Sequence, residues 1–131
     1  MQTKVLVIED DQLMAGLLAE KLAKADFQVQ LAVDGEAGMK ELENPPDGGM
    51  PDIILLDLIL PGMSGFEILA KIKENEQTKA IPVVILSNLG SREEVEKGLK
   101  LGAESYLIKA NVLIDEVVKK IRETVAKKQM P

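Results

Sequence analysis

The sequence predicts an α/β domain of three layers, a single doubly wound, five-stranded parallel sheet with five helices on its two faces. Three observations carry that expectation. Short apolar runs alternate with stretches of helical period along the chain, in the order βαβαβαβαβα. Three of the runs, Val5–Ile8, Ile53–Leu56 and Val83–Leu86, are apolar nearly throughout. Parallel strands covered on both faces read this way, whereas a half-exposed sheet alternates. The length, 131 residues, suits one domain, expected over 1–131 with its core at about 4–128. Short connections and right-handed crossovers restrict the topology further.

The first strand is expected over Lys4–Ile8. Asp11 then stands as an N-cap, and Met14, Leu17, Leu18 and Leu22 recur on one helical face. A second strand over Gln28–Ala32 precedes a second cap at Asp34. Asn44-Pro45-Pro46-Asp47-Gly48-Gly49 cannot continue a helix and reads as a surface loop. The third strand is Asp52–Leu56, and Ser64 with Glu67 fits a capping box. The fourth strand is Ile81–Leu86, followed by a second capping box at Ser91 and Glu94 and a short apolar face of Val95 and Leu99. Gly98 costs that helix about 1 kcal/mol relative to Ala and is read as a source of mobility. The fifth strand is Ser105–Ile108, with a cap at Asn111. A long face of Ile114, Val117, Val118, Ile121 and Val125 closes the chain, and the residues after Lys128 are expected to fray.

Composition excludes much chemistry. There is no Cys, so no disulfide framework, thiol nucleophile or zinc ribbon. There is no His, so no Ser–His or Cys–His arrangement and no imidazole metal site. Any metal must be a hard cation bound by oxygen. The 16 Lys+Arg against 22 Asp+Glu leave a net charge of −6, which argues against direct nucleic-acid contact. Lys119, Lys120, Arg122, Lys127 and Lys128 form a basic cluster in the last helix, read as complementing its C-terminus. Met1-Gln2-Thr3-Lys4 lacks the features of a signal peptide, and the apolar runs are too short to span a membrane. A soluble, cytoplasmic protein without membrane insertion is expected.

In such a sheet, ligands bind beyond the carboxyl ends of the strands. Glu9, Asp10 and Asp11 follow the first strand, Asp57 ends the third, Ser87 and Asn88 follow the fourth, and Lys109 follows the fifth. Singly, each has an ordinary explanation: a solvated turn, a capping hydroxyl, a surface charge. Asp57 differs, because it interrupts an apolar run from Ile53 to Leu60, where an uncompensated charge is costly. An Asp bonded to nearby backbone N–H groups is the structural alternative. Carboxylates at adjacent strand ends repel unless a divalent cation or Lys109 intervenes. Carboxylate oxygens suit Mg2+. Neither GxGxxG nor a P-loop is present to cradle a cofactor phosphate. Phosphate is therefore expected to arrive on a partner and to land on a carboxylate, with Asp as nucleophile.

At these residues the sequence resembles the receiver domain of two-component response regulators, of which CheY is the minimal form. The matching segments are Val5-Leu6-Val7-Ile8-Glu9-Asp10-Asp11, Asp57-Leu58-Ile59-Leu60-Pro61-Gly62-Met63-Ser64-Gly65, Val84-Ile85-Leu86-Ser87 and Gly102-Ala103-Glu104-Ser105-Tyr106-Leu107-Ile108-Lys109. The resemblance covers about Lys4 to Lys128, as a stand-alone receiver would. It implies the flavodoxin/CheY-like strand order 2-1-3-4-5, which comes from the family and not from the residues. It implies Asp57 as phosphoacceptor, Asp10 as a direct Mg2+ ligand, Glu9 holding the metal through water, and the backbone carbonyl of Ile59 as another ligand. Mn2+ would substitute. Lys109 would neutralise one phosphoryl oxygen and Ser87 would hydrogen-bond another. Ser87 and Tyr106 would form a switch, Tyr106 turning inward as Ser87 moves, altering the face of the fourth helix, fifth strand and fifth helix. The donor would be a phosphohistidine on a sensor histidine kinase or histidine phosphotransfer protein, and the output a downstream protein target. The chain itself would catalyse only its own phosphorylation and dephosphorylation.

Some positions depart from the family pattern. Ala110 follows Lys109 where most receivers have Pro. A cis bond there would cost about 3 kcal/mol, so a trans bond, or a strained cis one, is expected. Asn88 stands where Ala or Gly is usual, narrowing access. Ile59 and Leu89, positions thought to influence hydrolytic water, cannot hold it by a side-chain hydrogen bond, which implies slow loss of phosphate.

Three alternatives are weaker. A haloacid-dehalogenase-type phosphatase wants a second Asp two residues after the nucleophile, where this chain has Ile59. A pseudo-receiver, a pure interaction module, would have no need of Glu9, Asp10, Asp57, Ser87 and Lys109 together. A DNA-binding regulator is disfavoured because the resemblance ends with the fifth helix.

Overall fold

The computed structural model describes residues 2–46 and 49–129. Its elements are β1 (Lys4–Ile8), α1 (Gln12–Lys24), β2 (Gln28–Ala32), α2 (Gly35–Glu43), β3 (Ile53–Leu56), α3 (Gly65–Glu74), β4 (Val83–Ser87), α4 (Arg92–Lys100), β5 (Ser105–Ile108) and α5 (Ile114–Gln129). A single 3-10 turn, Lys109–Asn111, links β5 to α5. The five strands are parallel in the order β2-β1-β3-β4-β5.

The period of two along each strand sorts its side chains between two cores. Val5, Val7, Ile53, Leu55, Val84 and Leu86 face α1 and α5, meeting Leu18, Leu22, Val117, Val118, Ile121 and Val125. Leu6, Ile8, Ile54, Leu56, Val83 and Ile85 face the other way, onto Leu42 of α2 and Ile68, Leu69 and Ile72 of α3. Each buried Leu or Ile contributes roughly 1.5–3 kcal/mol. The wholly apolar runs thus become the three inner strands, buried along their length, while β2 and β5 lie at the edges, each flanked on one side only.

The fourth strand is shifted from its expected span. Ile81 turns its N–H back to the Thr78 carbonyl at 2.9 Å, and Pro82 has no N–H to give, so the ladder starts at Val83. Ser87 joins it by pairing with Ile108. β3 starts at Ile53, although Asp52 N–H still reaches the Lys4 carbonyl at 2.8 Å. Two apolar faces are narrower than their spacing suggested. Leu17 is 42% exposed and Leu99 45% exposed. The helix faces that meet the sheet are Ala15, Leu18 and Leu22 in α1 and Gly98 in α4.

The caps follow the sequence at four of five positions. The Asp11 and Asp34 carboxylates accept from Met14 and Ala37 N–H, and the Ser64 hydroxyl accepts from Glu67 N–H, only this half of the expected box being formed there. At Ser91 and Glu94 the capping box is reciprocal. Asn111 does not cap α5, because it closes the 3-10 turn. Leu113 precedes the helix instead, its N–H donating to the Glu116 carboxylate at 2.9 Å. The loop after α2 is exposed at Asn44, Pro45, Pro46 and Gly49, and the buried Lys4 ammonium holds its far end through the Gly49 carbonyl at 2.7 Å. Asp47 and Gly48 of that loop, and Met130 and Pro131 of the expected frayed end, lie outside the described residues. Lys127 and Lys128 do sit in the last turn of α5, but Lys119, Lys120 and Arg122 lie mid-helix, where the helix dipole does not account for them. No described helix is long and apolar enough to cross a membrane.

Candidate functional site

The sheet assembles the site by letting the ladder run one residue past two strands. Glu9 N–H donates to the Ala32 carbonyl and Asp57 N–H to the Ile8 carbonyl, both at 3.0 Å. With Ile8 paired to Leu56, this sets Glu9 and Asp57 side by side at the carboxyl edge. On the other flank Ser87 pairs with Ile108, so Lys109 emerges next to them. The start of α3 presses against this edge. A Cβ at Gly65 would lie 2.4 Å from the Asp57 carbonyl oxygen, so only glycine fits there.

Glu9, Asp10 and Asp57 present carboxylate oxygens within 4.8 Å of one another, with Asp10 exposed and the other two buried. The Lys109 ammonium bridges the buried pair, 2.6 Å from Glu9 Oε1 and 2.7 Å from Asp57 Oδ2. The remaining oxygens meet backbone: Asp11 N–H donates to Glu9 Oε2 and Ile59 N–H to Asp57 Oδ1, each at 3.1 Å. The alternative noted for Asp57, a carboxylate bonded to nearby backbone, is therefore present alongside the acid cluster. Burial pushes the Glu9 carboxyl above its usual range, and the Asp57 charge adds to this against the hydrogen bonds from Lys109 and Asp11. Burial alone would lower the Lys109 ammonium, but its bonds to Asp57 and Glu9 outweigh that and hold it above its usual range. The donor set is all oxygen, as a hard divalent cation requires.

Ser87 is fully buried, and its hydroxyl accepts from Leu89 N–H at 3.3 Å. The Leu89 carbonyl in turn accepts from the Tyr106 phenol. One peptide segment thus joins the two expected switch residues. Tyr106 is half-buried, and the flank of its ring lies against Gly98 of α4. Burial raises its phenol above the usual range, with Glu94 and Asp57 adding to the effect. Asn88 is exposed, Ile59 is 50% exposed and Leu89 is half-buried. The bond between Lys109 and Ala110 is trans, as are all peptide bonds among the described residues. A surface groove of about 570 Å3 lies at the opposite edge of the sheet around Thr3, Phe27 and Val125, away from these groups.

Sequence reasoning left Gly65 without a role and missed the Leu89 backbone link. A glycine directly after a capping Ser, where a helix former is the usual choice, signals the first. The second is carried by main chain, which leaves no trace in residue type.

A doubly wound sheet of order 2-1-3-4-5 with an acid cluster and a lysine at its carboxyl edge defines a CheY-like domain. The chain belongs to the response regulator receiver domain family, whose sequence signature matches residues 5–122. It is 36% identical over 118 residues to response regulator PleD of Caulobacter vibrioides, covering 90% of this chain and 24% of PleD. It is similar in structure to the phosphorylated cyanobacterial phytochrome response regulator RcpA, with TM-score 0.87 and 31% identity, over 99% of this chain and 98% of that one. The Mn(2+)-bound form of response regulator Rcp1 aligns with TM-score 0.78 and 32% identity, over 92% of each chain. The chain spans from 24% to 47% of the length of the curated relatives that it matches first. Receiver domains are signalling switches of two-component systems rather than conventional enzymes, which removes the phosphatase alternative.

Proposed function

We propose that this receiver accepts a phosphoryl group on Asp57 from a phosphohistidine, carried by a sensor histidine kinase or a histidine phosphotransfer protein. The observation that carries the reading is the Lys109 ammonium shared between the buried carboxylates of Asp57 and Glu9, with Asp10 beside them. An Asp57 oxygen attacks phosphorus, the P–N bond breaks, and the imidazole leaves with the electron pair and takes a proton from water. Lys109 moves its charge to a phosphoryl oxygen and the Ser87 hydroxyl donates to another. Positioning and fixed charge, not covalent chemistry beyond Asp57, supply the acceleration.

Glu9, Asp10, Asp57 and the Ile59 carbonyl would hold Mg2+, or Mn2+ in its place. The metal would supply positive charge against the phosphoryl oxygens. The Mn(2+)-bound form of Rcp1 supports a divalent ion in a relative. As Ser87 is drawn towards the phosphoryl group, Leu89 moves with it, altering the face of α4, β5 and α5 that a downstream protein reads. Asn88 narrows the approach, while Ile59 and Leu89 slow hydrolysis. A cytoplasmic setting follows from this partnership.

The test is labelling by acetyl phosphate. The expected result is Mg2+-dependent modification, abolished in Asp57→Ala. Modification that persists in Asp57→Ala would move the acceptor elsewhere. No modification of the folded wild type would favour the pseudo-receiver reading.

A further inference from the structure

The end of α1 is closed by main chain in a way that ordinarily calls for glycine. Phe27 N–H donates to the Leu22 carbonyl at 3.0 Å, and Asp26 N–H to the Ala23 carbonyl at 3.1 Å. Such a pair of bonds puts the residue before Phe27 into the left-handed region, where glycine is the usual occupant. Here that residue is Asp26, at φ 70°, the single non-glycine residue of positive φ among the described residues. The bonds that close the helix are all main chain, so the carboxylate has no part in them. Local structure therefore gives no reason for an acid at this position.

Asp26 lines the groove of about 570 Å3 at the edge of the sheet opposite Asp57. Arg122 of α5 lines it too, and the buried Phe27 and Val125 supply its apolar part. Arg122 is one of the mid-helix bases that the helix dipole leaves unexplained. No ion pair among the described residues involves Asp26 or Arg122. A second groove shares Ala25 and Arg122 with the first and runs on between α1 and α5, past Lys119. Asp115 and Lys24 also line it, but they are already paired, with Lys21 at 3.3 Å and Glu20 at 3.2 Å. The combined groove thus presents one carboxylate at Asp26, an apolar stretch, and two cations at Arg122 and Lys119.

We propose that this groove is a docking site for an extended segment of a partner protein. The segment carries a basic residue for Asp26, an apolar residue for Phe27 and Val125, and an acidic residue for Arg122 and Lys119. The opposite charges set this chemistry. A polyanion, whether nucleic acid or an anionic membrane, would meet Asp26 and a chain of net charge −6. A small molecule would stay largely exposed in so open a groove, whereas ligand pockets enclose most of their ligand. Exposed charges of this kind set register and choice of partner more than affinity. The groove lies away from Asp57, so the proposal goes beyond the phosphoacceptor reading and does not depend on it.

The experiment is NMR of the isotope-labelled whole chain, titrated with the synthetic peptides Gly-Ser-Lys-Leu-Glu-Ser-Gly and Gly-Ser-Glu-Leu-Lys-Ser-Gly. Both orders are used because the groove does not set the direction of the segment. One of them is expected to give saturable shifts in the amides of Asp26, Phe27, Arg122 and Val125. Asp26→Gly should bind it about threefold more weakly, the order expected of one exposed ion pair. The same variant should melt higher than the wild type, because glycine suits the positive φ. Arg122→Glu should reverse the choice, preferring the peptide whose Glu is replaced by Lys. The proposal is overturned if neither peptide gives saturable shifts, or if the shifts lie elsewhere. It is overturned equally if Asp26→Gly binds as the wild type does or melts lower, or if Arg122→Glu keeps the original preference. Shifts of the groove amides on raising the protein concentration alone would assign the groove to a second copy, and tighter binding of oligothymidylate would assign it to nucleic acid. Either result rejects the partner segment. Should Arg122→Glu not fold, Arg122→Gln decides, by weaker binding or by none of the expected loss.

Discussion

The Lys109 ammonium lies 2.6 Å from Glu9 Oε1, and this ion pair is almost fully withdrawn from solvent, with side-chain exposures of 11% and 3%. Lys109 is shared with Asp57, so one cation balances two buried anions while Asp10 adds a third charge at the rim. The cluster is left with excess negative charge, which suits a site that receives a cation and disfavours the fold without one.

Lys109→Met should expose that imbalance. Breaking a buried pair by removing one partner costs about 3–5 kcal/mol, because the remaining charge stays uncompensated. Urea unfolding at neutral pH should show a loss of that order. The loss should shrink in acid, where the Glu9 carboxyl, already raised by burial, takes up a proton. An equal loss at both pH values would show that packing of the lysine stem, not charge, is what was removed.

Mg2+ should stabilise the wild type by linkage, by about 2.7 kcal/mol at a concentration 100-fold above its dissociation constant. Asp10→Asn should raise the melting temperature slightly in chelator, since it relieves repulsion at the rim, and should largely abolish the gain from Mg2+. A variant that kept the full Mg2+ gain would place the ion elsewhere.

Alkaline pH offers a readout of Tyr106. Its phenol is raised above the ordinary value of 10.0, chiefly by burial. The folded state therefore holds the proton more tightly than the unfolded state does. The resulting stability is fully present below pH 10 and is lost as pH rises through the folded value. Lys109, raised above 10.5, adds a loss of the same sign at higher pH. Tyrosinate absorbance should rise late and together with unfolding. An early, reversible rise in the folded protein would mean an exposed ring.

Gly65→Ala should damage the site from behind. Its new Cβ would meet the Asp57 carbonyl oxygen at 2.4 Å, and backbone cannot swing aside as a side chain does. A destabilisation of about 1–3 kcal/mol is expected from overpacking. The rate of acetyl phosphate labelling should fall as well, because Asp57 itself is shifted. Wild-type labelling would show that the α3 start relaxes independently of β3.

Phosphorylated protein should lose its label slowly. Ile59 is 50% exposed beside Asp57, and neither it nor Leu89 offers a side-chain hydrogen bond to an attacking water. Ile59→Asn should shorten the lifetime of the acyl phosphate, followed by release of inorganic phosphate. A wild-type lifetime of seconds in Mg2+ would contradict this.

Much of the fold was legible because its signals are local. Apolar runs without alternation marked β1, β3 and β4 as doubly covered, and the structure buries all three. Side-chain caps at Asp11, Asp34, Ser64 and Ser91 were legible for the same reason, since the partners lie three residues away. The polar residues at strand ends were legible as candidates, because a charge such as Asp57 inside an apolar run demands an explanation.

What escaped the sequence depended on what lies opposite. Helical period set Leu17 on an apolar face but could not say that α1 turns it outwards, 42% exposed. Residue type made Asn111 a cap, yet the 3-10 turn after Lys109 moved the start of α5 beyond it. Gly98 looked like a weak point of its helix and proved to be buried against Ile85 and Tyr106, where a Cβ has no room. The sequence by itself determined a parallel sheet with an acidic carboxyl edge, since burial on both faces and the cost of an unpaired charge are properties of residues. Only the tertiary structure decided that Lys109 bonds Glu9 and Asp57 together, and that the Tyr106 phenol meets the Leu89 carbonyl. Such neighbours are set by strand order and non-local packing, which leave no period along the chain.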